Sequence, residues 1–288
     1  MTHYCLPFAL LIVLFAGCQS ADHSAPTGAA ASAQPPVARP QWVPTHHLPP
    51  AGPGDTLTAA ARAFLRAHDL APLWANADYD EPADRAMEGF YGPDSYRIAF
   101  YYDEVRRDSL HPEQFLVRGR NRYRKIVTPF AGTITVQAIF NAQLDTPNFH
   151  PADTVRAFVV RARYELREDP ATKGAGVYRG EALLDATETP HGGLHQGELS
   201  GTGYYQLANP NQGGGLTFVG TWTDNKTGRQ RLAAWSPNLQ RVTPVPILEE
   251  QQVGGRTGDV DPVLAKHGWN ELWDNDEWWN AHGPTVRR

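Results

Sequence analysis

From about residue 95 onward, apolar and polar positions alternate with a period of two. In the stretch 96–105, Ile98, Phe100 and Tyr102 alternate with Arg97, Tyr101 and Asp103. Across 133–140, Ile134, Val136, Ala138 and Phe140 oppose Thr133, Thr135 and Gln137. The cleanest run is 156–167, where Phe158, Val160, Ala162, Tyr164 and Leu166 alternate with Arg161, Arg163, Glu165 and Arg167. Side chains on a strand point to opposite faces in turn, so this pattern predicts strands with one face in a core and the other in water. Further strands are predicted at 114–119, 177–185, 199–207, 215–224 and 229–235, separated by turn residues such as Asp224-Asn225-Lys226-Thr227-Gly228. Short strands in sequential order predict a mainly β fold. The expected form is an antiparallel meander of about eight strands, closed or nearly closed as a soluble barrel, with a sandwich as the alternative. The outward positions carry arginine, glutamate and threonine instead of the apolar band of a membrane barrel.

The period is different on either side of this 95–245 β domain. Within 54–94, Leu57, Ala60, Ala61, Phe64, Leu65 and His68 share one face at helical spacing, which predicts a helix over 55–69 with Asp55 as its N-cap. Residues 71–94 are rich in turn formers, with a short helical turn expected near Asp84–Met87. Residues 246–288 form a C-terminal arm. In it, Asp261-Pro262 marks a helix start, and Trp269 and Trp273 stand four positions apart.

At the N-terminus, Leu6–Ala16 is almost wholly apolar and ends Leu14-Phe15-Ala16-Gly17-Cys18. A run of about eleven residues matches the core of a secretory signal and is too short to span a bilayer. Phe15-Ala16-Gly17-Cys18 resembles the bacterial lipobox. That resemblance implies that residues 1–17 are a signal peptide, removed once the Cys18 thiol carries diacylglycerol, and that an acylated (palmitate-type) Cys18 anchors the chain to a membrane. Gln19 after the cysteine resembles the outer-membrane sorting pattern of such lipoproteins. An ordinary secretory signal cut nearby, or an uncleaved anchor, would equally place the rest outside the cytoplasm. Residues 18–53 then read as a Pro/Ala-rich tether. Eight prolines and few apolar residues in 19–53 leave nothing to bury, so this stretch would reach roughly 30 Å as a coil. The chain has two cysteines, Cys5 and Cys18. Removal of the signal and acylation of Cys18 would leave no free thiol, hence no disulfide and no cysteine nucleophile.

Two β motifs stand out. Phe130-Ala131-Gly132-Thr133-Ile134-Thr135 and Phe218-Val219-Gly220-Thr221-Trp222-Thr223 share the pattern F-x-G-T-x-T, 88 positions apart, each preceded by Arg-Gly (Arg118-Gly119 and Arg179-Gly180). The echo suggests a duplicated β unit, and the mid-strand glycines suggest sharp bends or aromatic rings lying on bare backbone. Gly220-Thr221-Trp222 resembles the Gly-x-Trp signature of the lipocalin and avidin group. In that group the motif lies on the first strand, whereas here it falls near the seventh. The resemblance implies a ligand-holding barrel.

Chemistry is sparsely marked. His191-Gly192-Gly193-Leu194-His195 has the spacing of a metal pair, but Pro190 and two glycines place it in a loop, so no metal or other cofactor is expected. There is no Gly-x-Ser-x-Gly elbow and no phosphate loop. Asp103 with Glu104, and Asp185 with Glu188, are the carboxylate pairs a glycosidase could use, given the right separation. The formal net charge of −5 gives no electrostatic case for nucleic acid. Trp269, Trp273, Trp278 and Trp279 fall within eleven positions near Asn270, Asn275, Asp276 and Asn280. Their indoles either cover the barrel or form an aromatic platform for a sugar or a partner surface. The expectation is a non-catalytic, lipid-anchored envelope lipoprotein that presents a β domain to a glycan or envelope protein. A small-ligand barrel and an envelope polysaccharide hydrolase are the alternatives.

Overall fold

The computed structural model describes residues 57–77, 81–142, 156–197, 215–243, 260–272 and 277–280, all within the unit Pro40–Arg288. The candidate strand 199–207, Asp55, Trp273 and the whole signal and tether region lie outside the described residues.

Alternation becomes strands where it was read: β2 (Tyr96–Arg107), β3 (Gln114–Tyr123), β4 (Ile126–Ala142), β5 (Arg156–Glu168), β6 (Gly176–Glu188), β8 (Leu216–Asp224) and β9 (Gln230–Ser236). Two further strands appear, β1 (Met87–Tyr91) and the short β7 (Leu194–Gln196). All pairings are antiparallel, and all but β6 with β8 and β1 with β9 join strands consecutive in the chain. β5 also pairs with β6, and β1 with β9, so eight strands close into a barrel while β7 adds to one end of β6. The stretch read as turn-rich therefore supplies β1, the strand that closes the wall, preceded by a 3₁₀ turn at Pro82–Arg85.

The interior is aromatic. Trp235 lies between Phe100, at 3.9 Å, and Phe218, at 5.1 Å, with all three rings nearly parallel. Tyr102, Tyr164 and Tyr178 meet this stack edge-on. Rings this large fit because the wall is thin opposite them. Gly180 and Gly220 are register partners on β6 and β8. A Cβ on Gly220 would stand 2.1 Å from the Arg179 carbonyl oxygen and 2.5 Å from the Tyr164 hydroxyl.

Helix α1 (Ala59–Ala67), helix α2 (Ala71–Trp74) and the N-cap of α2, Leu70, bury Leu65, Leu70, Leu73 and Trp74 in the same core. The Trp74 ring lies 6.5 Å from Phe115 and 6.3 Å from Phe218, so the helices close the mouth where β3 and β8 begin. The N-cap of α1 is Thr58, whose Oγ1 accepts from Ala61 N at 3.1 Å. Arg107 completes the other end of α1 by donating to the carbonyls of Leu65 and His68.

A second, smaller core lies outside the barrel. Phe90 and Ala234 of β1 and β9 pack against Leu239, Val242, Leu264 and Trp269 of the segments that follow. The predicted helix start is real: Asp261 caps the single turn Pro262–Ala265, accepting from Val263 N at 2.6 Å. The helix stops there because Gly268 is left-handed, with φ +86°, and Trp269 begins a separate 3₁₀ turn. Trp269 thus does not continue the Pro262–Ala265 helix.

The two F-x-G-T-x-T segments occupy β4 and β8, three places apart around the eight-strand wall. Gly119 faces Phe130, whereas Gly180 faces Gly220. This register difference does not match the half-turn symmetry of a duplicated half-barrel.

Candidate functional site

The barrel end opposite the helices is closed by polar chemistry centred on Glu168, the last inward residue of β5. Its carboxylate is buried. Oε1 accepts from Asn121 Nδ2 at 2.7 Å and from the Tyr178 hydroxyl at 3.3 Å. Oε2 accepts from Gly176 N at 2.7 Å and from Trp222 Nε1 at 2.9 Å. Four donors from three strands thus converge on one side chain. Above it, Tyr91 packs on Tyr123 and Trp222, with the Arg231 guanidinium over its ring. Burial pushes the Tyr91 phenol well up, against the lowering effect of Arg231. Burial raises Tyr102, Tyr164 and Tyr178 as well.

Outside the wall at this end lies a groove of about 850 Å³, lined among others by Asp103, Glu104, Arg118, Arg120, Pro129 and Arg167. A bulge in β2 after Tyr102 breaks the register and places Asp103 and Glu104 here. Asp103 accepts two bonds from Arg120, from Nε at 3.2 Å and from Nη2 at 2.9 Å. Glu104 stands 3.6 Å from both Arg106 and Arg118. Arg167 pairs with Glu165 at 2.6 Å. The hydrogen bond from Arg179, with lesser help from Arg167, holds the Glu165 carboxyl below its ordinary range.

Tyr101 is the register partner of Arg120, and Trp279 lies parallel over its ring at 5.9 Å. Trp278 meets Trp279 edge-on, and both indoles are half-buried. Burial raises the Tyr101 phenol.

The predicted tryptophan cluster therefore divides. Trp269 is buried against Phe90, and its Nε1 donates to the Ser95 carbonyl at 2.8 Å, so its indole covers the barrel side and is not part of a platform. Trp278 and Trp279 lie on the outer wall. His191 and His195 are exposed on the β6–β7 hairpin, and no group of three or more His, Cys, Asp or Glu side chains suited to a metal occurs among the described residues. Asp103 and Glu104 face guanidiniums. Asp185 accepts from Gly215 N at 3.2 Å, and Glu188 accepts from Arg156 Nε at 2.6 Å. The Arg156 hydrogen bond also lowers the Glu188 carboxyl.

Sequence reasoning missed Glu168 and the groove. The signal for Glu168 was present: it is the next inward position after Leu166. The contact of Trp279 with Tyr101 joins residues 178 positions apart and leaves no local trace. Comparison with protein-family models, with curated proteins and with solved structures gave no match.

Proposed function

We propose that this chain is a non-catalytic lipoprotein of the bacterial envelope, anchored at the outer membrane through an acylated Cys18, that presents its barrel as a binding module. The observation that carries the reading is the segment Leu14–Cys18, followed by a proline-rich tether and then a β domain. Among the described residues no helix is long and apolar enough to cross a membrane. Binding on the outside of the wall is supported by the way the interior is occupied. The Phe100–Trp235–Phe218 stack fills the centre, α1 and α2 close one mouth, and the Glu168 network closes the other. The carboxylates that a hydrolase would need are engaged by arginines or backbone donors.

One observation favours the second reading, a small ligand inside the barrel. The hydroxyl of Tyr164 and the indole nitrogen of Trp74 are buried without a hydrogen-bond partner among the described residues. Those same rings occupy the space such a ligand would need, so the outer wall is preferred.

The test is Cys18→Ser in the full chain. Loss of acyl labelling and release from the membrane fraction is the expected result. Unchanged membrane retention of the variant would refute the anchor.

A further inference from the structure

We propose that the outer-wall groove beside Tyr101 and Trp279 is a binding site for a neutral oligosaccharide. The proposal rests on the envelope-module reading and names the ligand class of that module.

Shape and chemistry point the same way. The groove holds about 850 Å³, within the range of roughly 300–1,000 Å³ usual for small-molecule sites. Its charged lining is of both signs and includes two ion pairs, Asp103 with Arg120 and Glu104 with Arg118, beside Arg167, Glu168 and Asp169. The Asp103–Arg120 pair is fixed by two parallel bonds, which leaves outward lone pairs and N–H groups in set directions. Vicinal hydroxyls both donate and accept, and they match such a pair without bringing a charge. The lining is of mixed sign, so it offers a polyanion no sustained positive potential.

The second component is aromatic. Sugar rings present C–H faces that pack on the flat faces of tyrosine and tryptophan, whose polar tips still reach water. Trp279 stacks on Tyr101, the cross-strand partner of the arginine that lines the groove. With one face on Tyr101 and the side chain half-exposed, Trp279 offers an aromatic surface on the strand pair that carries Arg120. Pro129 adds a second rigid, apolar surface to the lining.

A peptide is the competing ligand, and the sheet disfavours it. Extended peptides gain most of their affinity by adding a strand to a free edge. β3, β4 and β5 are hydrogen-bonded on both sides where they line the groove, and β2 beyond Phe100, which pairs with β3 alone, is the one short edge left to a peptide. A lipid is disfavoured because charged side chains make up much of the lining.

The experiment is a titration of the full chain, followed by tryptophan fluorescence and calorimetry. Its probes are neutral tetrasaccharides (chitotetraose, cellotetraose and maltotetraose), with a sulfated tetrasaccharide and an extended peptide as controls. Saturable binding of at least one neutral probe is expected, weakened tenfold or more by Trp279→Ala and by Asp103→Ala with Arg120→Ala. Circular dichroism and thermal unfolding of each variant separate lost binding from lost folding. Trp278→Ala, at the neighbouring indole, supplies a second wall variant that leaves the charged pair and the Tyr101 stack in place.

No saturable binding of any neutral probe overturns the proposal. So does equal binding by the wild type and the Trp279 and Asp103–Arg120 variants, or preference for the sulfated probe or the peptide. Acyl labelling of Cys18 is read separately, so a failed ligand class is distinguished from a failed anchor.

Discussion

Replacing Glu168 tests whether one carboxylate holds the barrel end together. Glu168→Met removes both oxygens at nearly constant length. It leaves Asn121 Nδ2, Gly176 N, Trp222 Nε1 and the Tyr178 hydroxyl without their acceptor. A buried donor stripped of its partner costs about 1–3 kcal/mol. The mouth lies near solvent and the side chains there can relax, so the lower part of that range applies. Four donors then cost about 4–6 kcal/mol, offset by about 2 kcal/mol from burying the thioether in place of a charge. The net loss is about 2–4 kcal/mol, a large share of the roughly 5–15 kcal/mol that holds a typical fold. Glu168→Gln keeps one acceptor oxygen and gives up the charge assistance, so it should fall between wild type and Met. Urea unfolding, followed by tryptophan fluorescence and far-ultraviolet circular dichroism, measures the series. The expected order of stability is Glu, then Gln, then Met. A Met variant as stable as the wild type would show that the network is incidental to the fold.

Two further outcomes follow from the wall and its rings. Alkaline titration should reveal protected phenols: burial raises the folded ionisation of Tyr91, Tyr102, Tyr164 and Tyr178 well above the ordinary phenol range. The sign follows from linkage: their contribution is complete below the unfolded value and is lost as pH rises above it. Absorbance at 295 nm should therefore show these tyrosines ionising together with unfolding; smooth ionisation of every tyrosine near pH 10 in a chain that stays folded would contradict their burial. Gly220→Ala drives a Cβ against the Arg179 carbonyl and the Tyr164 hydroxyl. It should cost about 3 kcal/mol as an overpacked site, read as a lower urea midpoint, and an unchanged midpoint would mean that the wall yields there.

Most of the barrel was legible because an inward–outward pattern is what a closed sheet requires. The run Phe158 to Leu166 became β5 nearly as read. β1 was hidden, because Met87-Glu88-Gly89-Phe90-Tyr91 is short and carries a glycine among turn formers. That glycine is what the strand needs: a Cβ on Gly89 would stand 2.0 Å from the Ala234 carbonyl oxygen across the closing pair. Phe90, which disturbs the alternation, faces outward into the second core, against Trp269. The candidate site was legible only in part. Trp278 and Trp279 stood out by composition, but their neighbours Tyr101, Asp103 and Arg120 come from strands far away in sequence. Asp103 owes its place to a bulge that no periodicity announces.

The pairing of β1 with β9 has a consequence for how the chain folds. Every other neighbour in the wall is joined by a connection along the chain, but Glu88 meets Ser236 across 148 positions. Non-local pairing of this kind slows folding, because the loop entropy is lost before the contacts form. A chain emerging N-terminus first could assemble the meander from β1 onward, yet the free edge of β1 must wait for β9, the last strand. Until then both edges of the open sheet are bare, which is the form most exposed to aggregation. The slow, vulnerable step in making this protein is therefore the final seam, and substitutions along β1 and β9 should be felt in yield sooner than in equilibrium stability.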